Sequence, residues 1–202
     1  RLIYQAHDGQ IEDIVAVYDR GVPLTKDADY ATYALLNAAT VSSGTYATCF
    51  AEGLFRLNAS PAGTVTCDVK GDKTGGVYVN SAPTIVRRIV NRATVLTDPA
   101  DLYEPSFTRI GVAQPAEIGF WSGVDDVITV ADALAQIMGS VGGWAGFRRN
   151  GKLEVNIFEA PATQPVLYLD VTDAIEVKRD KLPSALTPPP WRHRVGYQKN
   201  YT

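Results

Sequence analysis

The chain has 202 residues, and its 19 Lys and Arg nearly balance 22 Asp and Glu, for a net charge of −3. It contains no basic block of the kind that follows a phosphate backbone, so composition argues against nucleic-acid binding, and no apolar run is long enough to cross a membrane. There is no signal-peptide pattern at the amino terminus. Because the sequence begins at Arg1 without Met and ends in the strand-like VGYQKNYT, we expect it to be part of a longer polypeptide.

The first third of the chain favours short strands. Alternating or β-branched apolar residues predict them over 14–18, 22–25, 44–50 and 53–57. Asp19-Arg20-Gly21 indicates a turn between the first two, and Gly53 a turn or bulge before the fourth. The stretch 27–39 is ambiguous, with Asp29 as a candidate N-cap of a short helix.

The segment GLFRLNASPAGTVTCDVKG, residues 53–71, is typical of two strands joined by a Pro-Ala-Gly turn. Polar and apolar residues alternate along its second half, as in a strand with one buried face. The following GDKTGG, residues 71–76, lacks the Gly-Lys-Ser/Thr ending of a phosphate loop, so we interpret it as a hairpin loop.

A first helix is predicted over 81–96, where apolar residues recur at helical spacing and Pro83 suits a first turn. Arg87, Arg88 and Arg92 lie opposite the apolar stripe. A solvated face is favoured over a phosphate-binding one, because no aromatic residue or glycine-rich loop accompanies them.

The proline-containing stretch 98–124 is interpreted as irregular, with a short helix near 100–103 and with Phe120 and Trp121 anchoring it to the core. A second helix follows over 129–141. Thr129 is its expected N-cap, Asp132 favours the helix dipole, and a Gly-Gly pair ends it.

Asn150-Gly151 is a strong signal for a two-residue hairpin turn, because both positions tolerate the positive φ of a type I′ turn. This turn would place Trp144 opposite Ile157 and Gly146 opposite Val155, with Leu153, Val155 and Ile157 on one face. Further on, strands are predicted over 166–169, 174–179 and 191–201, with a stiff proline-rich linker over 182–190.

No constellation of residues predicts catalysis. His7 and His193 lack metal-ligand spacing. The adjacent carboxylates of Asp125 and Asp126 would point to opposite faces of a strand, which places them poorly for joint action. Cys49 and Cys67 fall in predicted strands, and buried free thiols are favoured over a disulfide. We therefore expect no enzyme activity, cofactor or metal.

Four segments in order resemble the hub or tail-tip proteins of bacteriophages and prophages. They are VYDRGVPLTKDADYAT (17–32), GTYATCFAEGLFRLNASPAGTVTCDVKG (44–71), the helix-GGW-hairpin block (129–158) and WRHRVGYQKNYT (191–202). The ordered set carries the resemblance, since each motif alone is generic. It implies a structural role in the virion tail, after assembly in the bacterial host cytoplasm, that joins the tail tube to the spike or fibre apparatus.

The resemblance and the residues together predict an α+β fold made of β-rich, barrel-like hub modules with two inserted helices and a helix-hairpin subdomain. Residues 1–80 and 159–202 would form one discontinuous β-rich domain, and residues 81–158 the helix/hairpin subdomain. Expected partners are other tail proteins and the chain itself, as in the trimers that hub proteins commonly form.

Contacts between subunits would use aromatic side chains, which are enriched at interfaces: Tyr30, Tyr33, Tyr46 or Trp191. Burial within one subunit is an equal alternative for each. Two other functions stay open. One is a module that binds a cell-surface glycan through aromatic residues, and the other is a peptidoglycan hydrolase domain.

Overall fold

The computed structural model describes residues 2–123 and 125–159. The chain divides into two compact units, Arg1–Phe158 and Glu159–Thr202. The predictions for the strands 166–169, 174–179 and 191–201, for the linker 182–190 and for His193 and Trp191 lie outside the described residues.

Seven strands and one short helix make up the β half, residues 3–72. The strands are β1 (Ile3–Gln5), β2 (Ile11–Asp19), β3 (Val22–Pro23), β4 (Thr25–Asp29), β5 (Thr45–Cys49), β6 (Leu54–Leu57) and β7 (Val65–Asp72), and the helix is α1 (Tyr33–Ala38). They form a four-stranded sheet in the order β1-β6-β5-β4 and a three-stranded sheet in the order β3-β2-β7. All pairs are antiparallel except β4 with β5.

The two sheets of the β half share one apolar core. Ile14 and Val17 of the three-stranded sheet pack with Tyr46, Phe55 and Leu57 of the four-stranded sheet, and all five are at most 3% exposed. Neither sheet closes on itself within the described residues, so the α+β class is confirmed and the expected barrel is not.

The predicted turn at Gly53 is confirmed. Gly53 has φ +64° and follows a single 3₁₀ turn at Phe50–Glu52. A Cβ at this position would lie 2.5 Å from the carbonyl oxygen of His7 and 2.6 Å from that of Gly9. Only glycine therefore fits both the backbone conformation and the space.

The strands on either side of the Pro-Ala-Gly turn exist, but they do not pair with each other. β6 pairs with β1 and β5, whereas β7 pairs with β2. The carboxylate of Asp19, at the end of β2, accepts hydrogen bonds from the backbone N–H groups of Ala62 and Gly63 at 2.8 and 3.0 Å. These bonds hold the connection against β2, so the chain crosses to the second sheet.

Asp29 does not cap α1. It lies at the end of β4, where its carboxylate accepts hydrogen bonds from the Thr48 hydroxyl at 2.8 Å and the Phe50 N–H at 3.1 Å. The N-cap is Thr32, whose hydroxyl accepts from the N–H of Leu35. A local capping signal was thus outweighed by pairing of the same residue in a sheet.

Residues 82–157 form the helix–hairpin half. Its elements are α2 (Ala82–Ala93), α3 (Glu104–Ala113), α4 (Val130–Ser140), β8 (Gly143–Phe147) and β9 (Leu153–Ile157). The helices predicted from residues 81 and 129 onward are confirmed. Thr129 caps α4 by accepting from the N–H of Asp132 at 3.1 Å, and Gly142 ends it with φ +70°.

A third helix, α3, was missed by the sequence reasoning. The short helix expected near 100–103 is wrong, because the helix begins at Glu104. Pro105 occupies the first helical turn, where its missing N–H costs nothing. Phe107 and Ile110 bury the helix in a core shared with α2, α4 and the hairpin. Phe120 packs against this core as expected, whereas Trp121 is 58% exposed.

The hairpin is confirmed, but its predicted register is wrong by one residue. Trp144 lies opposite Asn156, and Ala145 lies opposite Val155. The loop is a turn closed by a bond from the Gly151 N–H to the Arg148 carbonyl at 2.9 Å. Gly151 has φ +81°, whereas Asn150 is not among the residues with positive φ. The loop therefore has three residues and a glycine bulge, and is not a type I′ turn.

Candidate interaction surface

Of the aromatic residues expected at an interface, Tyr30, Tyr33 and Tyr46 lie among the described residues, and their surroundings differ. Tyr46 is 1% exposed in the core of the β half, and its hydroxyl lies 3.4 Å from the Ile14 carbonyl. Burial raises the pKa of this phenol. Tyr30 packs against the small apolar cluster of Leu36, Val41, Ala47 and Cys49. Tyr33 is 41% exposed at the start of α1. Tyr46 is therefore buried within the chain, and Tyr33 is on the surface.

The arginine face of α2 was expected to be solvated, but its side chains make contacts within the fold. Arg87 donates to Asp98 at 2.5 Å and to Glu104 at 2.8 Å, and its guanidinium lies 5.1 Å from the ring centroid of Phe107. Burial alone would lower the pKa of Arg87, but these hydrogen bonds to carboxylates outweigh it and raise the pKa. The residue therefore ties α2 to the start of α3.

The other two arginines join the two halves. Arg88 lies 3.0 Å from the Asp72 carboxylate and donates to the Thr74 carbonyl at 2.7 Å. Arg92 lies 3.0 Å from the Asp8 carboxylate. Burial would raise the pKa of Asp72, but hydrogen bonds from Thr74 and the charge of Arg88 hold it below its ordinary value. These contacts use the arginine charges within the fold, which leaves them poorly suited to a phosphate ligand.

His7 lies at this same junction. Its pKa is lowered chiefly by burial, with the positive charges of Arg92 and Arg88 acting in the same direction and Asp72 opposing them. Its Nε2 atom is buried and has no hydrogen-bond partner among the described residues. The imidazole therefore favours its neutral form and is a packing residue whose protonation would disturb the junction.

A polar groove of about 300 Å³ lies between α3 and the hairpin. The Arg148 guanidinium stacks 3.8 Å from the ring centroid of Tyr103 and lies 3.3 Å from the Glu154 carboxylate. Arg109 donates to the Asn156 side chain. Arginine, tyrosine and an amide thus line a shallow surface, and the sequence reasoning did not identify them.

The outer edge of β8 is the second surface that the sequence reasoning missed. We call it the hairpin edge and define it by the backbone N–H and C=O groups of residues 143, 145 and 147. Trp144 and Phe147, on the same strand, are 41% and 64% exposed. The sequence signal for it was the uncharged strand GWAGF, which starts at the second glycine of the pair that ends α4.

The described residues hold no group of three or more His, Cys, Asp or Glu side chains placed to bind a metal ion. Within the same part of the chain, no helix has the length and hydrophobicity that a membrane crossing needs. The Asp126 carboxylate accepts a hydrogen bond from the Gly123 N–H at 2.7 Å, a contact within its own loop. Cys49 and Cys67 are free thiols, as the favoured interpretation predicted, but only Cys49 is buried, and Cys67 is half-buried. Burial raises the pKa of both thiols.

Comparison of the chain with protein-family models, with curated proteins and with solved structures found no match.

Proposed function

We propose that the chain is a structural component of a phage or prophage tail, of the baseplate hub or tail-tip type, that links the tail tube to the spike or fibre apparatus. The observation that carries this proposal is the hairpin edge with its exposed aromatic side chains. Such a surface suits contact with another protein, since unpaired strand edges and aromatic residues both favour association. The ordered sequence segments described above support the same role.

The tail role is tested on particles. We expect mass spectrometry of purified particles, induced from a strain that carries the gene, to detect the chain, and gold-labelled antibodies against it to mark the tail tip in electron micrographs. Particles from a strain with the gene deleted serve as the control and should lack the label and an intact tip. Tails that assemble and infect normally without the gene would refute the proposal.

The polar groove favours a second function, binding of a cell-surface glycan. Its volume of about 300 Å³ is at the lower end of the range for small-ligand sites. Tyr103, Arg109 and Asn156 offer the stacking and hydrogen-bonding groups that a sugar can use. Nuclear magnetic resonance titration with bacterial wall polysaccharide tests this.

Arg148 and Arg149 provide a matched pair of variants for that titration. We expect Arg148→Ala to weaken glycan binding, because its guanidinium lines the groove, and Arg149→Ala, which removes the same charge from an exposed neighbour, to leave binding unchanged. Equal effects of the two variants, or no shifts in the groove, would exclude this second function.

A further inference from the structure

The hydrogen-bond pattern of the hairpin shows which groups of β8 point outward. Arg148 bonds through its N–H to the Lys152 carbonyl, and Phe158 bonds through its N–H to the Gly142 carbonyl, both at 2.9 Å. In an antiparallel pair, hydrogen-bonded and non-hydrogen-bonded positions alternate. The even-numbered residues of β8 therefore face β9, and residues 143, 145 and 147 direct their N–H and C=O groups to the opposite side.

The outer edge of β9 is covered, and that of β8 is not. Leu153 donates to the Asp101 carbonyl and accepts from the Tyr103 N–H, both at 2.8 Å, and Val155 donates to the Ser106 hydroxyl at 3.2 Å. For β8, β9 is the single strand partner among residues 2–123 and 125–159. The hairpin edge thus presents unpaired backbone groups in the described part of the chain.

The other edge strands of the described sheets carry features that discourage pairing. β4 contains Lys26, Asp27 and Asp29, and β7 contains Asp68, Lys70 and Asp72. β3 has two residues, one of them Pro23, and β1 has three residues. Charges, proline and short length are the usual protections of an edge. β8 has five residues, no charge and no proline.

We infer that two copies of this chain pair through their β8 strands, antiparallel, about a two-fold axis at Ala145. In this register Ala145 meets Ala145 of the second copy, and Gly143 meets Phe147. All outward N–H and C=O groups of residues 143, 145 and 147 then find partners, because these positions are the hydrogen-bonded ones. Trp144 lies opposite Gly146, so each large side chain meets a glycine, and no charged residues of the strand are brought together.

This pairing rests on the proposed assembly function. It identifies a second copy of the chain as the partner of the hairpin edge. A stable interface buries about 800 Å² per partner, more than five residues of strand edge supply. The dimer is therefore weak when the chain is alone, and further contacts within an assembly increase the effective concentration of the two edges. Two-fold pairing joins copies in twos, so the trimer suggested by the family resemblance needs a separate surface.

Sedimentation equilibrium of the full chain over a range of concentrations tests the pairing. We expect the average mass to rise from one towards two chain masses. Ala145→Pro should weaken dimerisation about tenfold or more, because it removes an outward N–H at a position where the hairpin itself loses no bond. Trp144→Lys should act similarly by placing two positive charges at the edge. Val95→Lys, at a residue 94% exposed outside the hairpin, is the matched control and should dimerise normally.

Amide hydrogen exchange of the unaltered chain gives a readout that does not depend on a variant folding. Exchange at residues 143, 145 and 147 should slow as concentration rises, whereas residues 144 and 146, bonded to β9, should be protected at every concentration. A chain that stays monomeric overturns the inference. Slow exchange at residue 145 under dilution also overturns it, since another strand would then cover the edge.

The two proposals fail separately. A monomeric chain found at the tail tip of purified particles would refute the pairing and leave the tail function standing. A chain that dimerises through β8 but is missing from particles would refute the tail function instead.

Discussion

Replacing Ser106 by alanine tests the contact that holds α3 against the hairpin. The Ser106 hydroxyl is buried, donates to the Tyr103 carbonyl at 2.8 Å and accepts from the Val155 N–H at 3.2 Å. Val155 is fully buried, so in Ser106→Ala its N–H is left without a partner and without water. Such an unsatisfied group costs about 1–3 kcal/mol, and we expect the free energy of unfolding to fall by that amount.

Ser140 is the matched control for this variant. Its hydroxyl also donates to a carbonyl three residues earlier, that of Ile137 at 2.7 Å, but the residue is exposed. Ser140→Ala should therefore change stability by less than about 0.5 kcal/mol. The difference between the two variants isolates the bond from Val155.

Urea unfolding followed by tryptophan fluorescence provides the measurement. With a slope of about 2 kcal/mol per molar urea, Ser106→Ala should lower the midpoint by about 0.5–1.5 M, and the Val155 amide should exchange faster with solvent. If Ser106→Ala and Ser140→Ala unfold at the same urea concentration, the reasoning that α3 satisfies the edge of β9 is refuted.

Three further predictions concern stability. Gly139 lies inside α4 with open space around it, so Gly139→Ala should stabilise the folded chain by up to about 1 kcal/mol in thermal unfolding. Gly151 is equally open but has φ +81°, so Gly151→Ala should destabilise the folded chain by about 1 kcal/mol. Arg88→Met should lower the free energy of unfolding in urea by about 1–3 kcal/mol, because it removes the ion-pair partner of the largely buried Asp72 carboxylate. Arg92→Met should leave the free energy of unfolding almost unchanged, because the carboxylate of Asp8 is exposed. Burial lowers the pKa of His7 below 6.5, so the unfolded chain binds the proton more tightly than the folded chain does. The free energy of unfolding should therefore fall as the pH drops below about 6.5. His7→Gln should reduce that loss.

Each of these predictions has an outcome that contradicts it. Stabilisation by Gly151→Ala would show that the loop does not need its left-handed residue. Equal losses from the Arg88 and Arg92 variants would mean that burial of the carboxylate does not distinguish the two ion pairs. An unaltered chain and a His7→Gln variant with parallel pH profiles, measured by urea midpoints, would show that the imidazole titrates alike in both states.

The helices with local start and stop signals could be predicted from the sequence. α4 begins where Thr129 and Asp132 indicated and ends at Ser140, just before the positive-φ Gly142, because capping depends on side chains and backbone groups within a few residues of each other. α3 was missed because the proline-containing stretch 98–124 was interpreted as irregular, although a proline in the first turn is compatible with a helix.

The hairpin shows where local reasoning ends. Asn150-Gly151 correctly predicted a reversal of the chain, but the loop also takes in Arg149, and only Gly151 has a positive φ. The longer loop places Leu153 and Val155 in the core together with Ala145. Register follows from which arrangement buries the apolar face, and the turn residues alone do not determine it.

The candidate interaction surface depended on tertiary structure for the same reason. The sequence by itself determined the mixed α+β class, the strand-forming segments and the absence of long charged runs. Only the folded chain decided that β6 and β7 join different sheets, that Tyr46 lies in the core, that the arginines of α2 pair within the fold and that one edge of β8 lacks a partner among the described residues. Propensity and capping act over a few residues, whereas these outcomes depend on contacts between segments that are far apart along the chain.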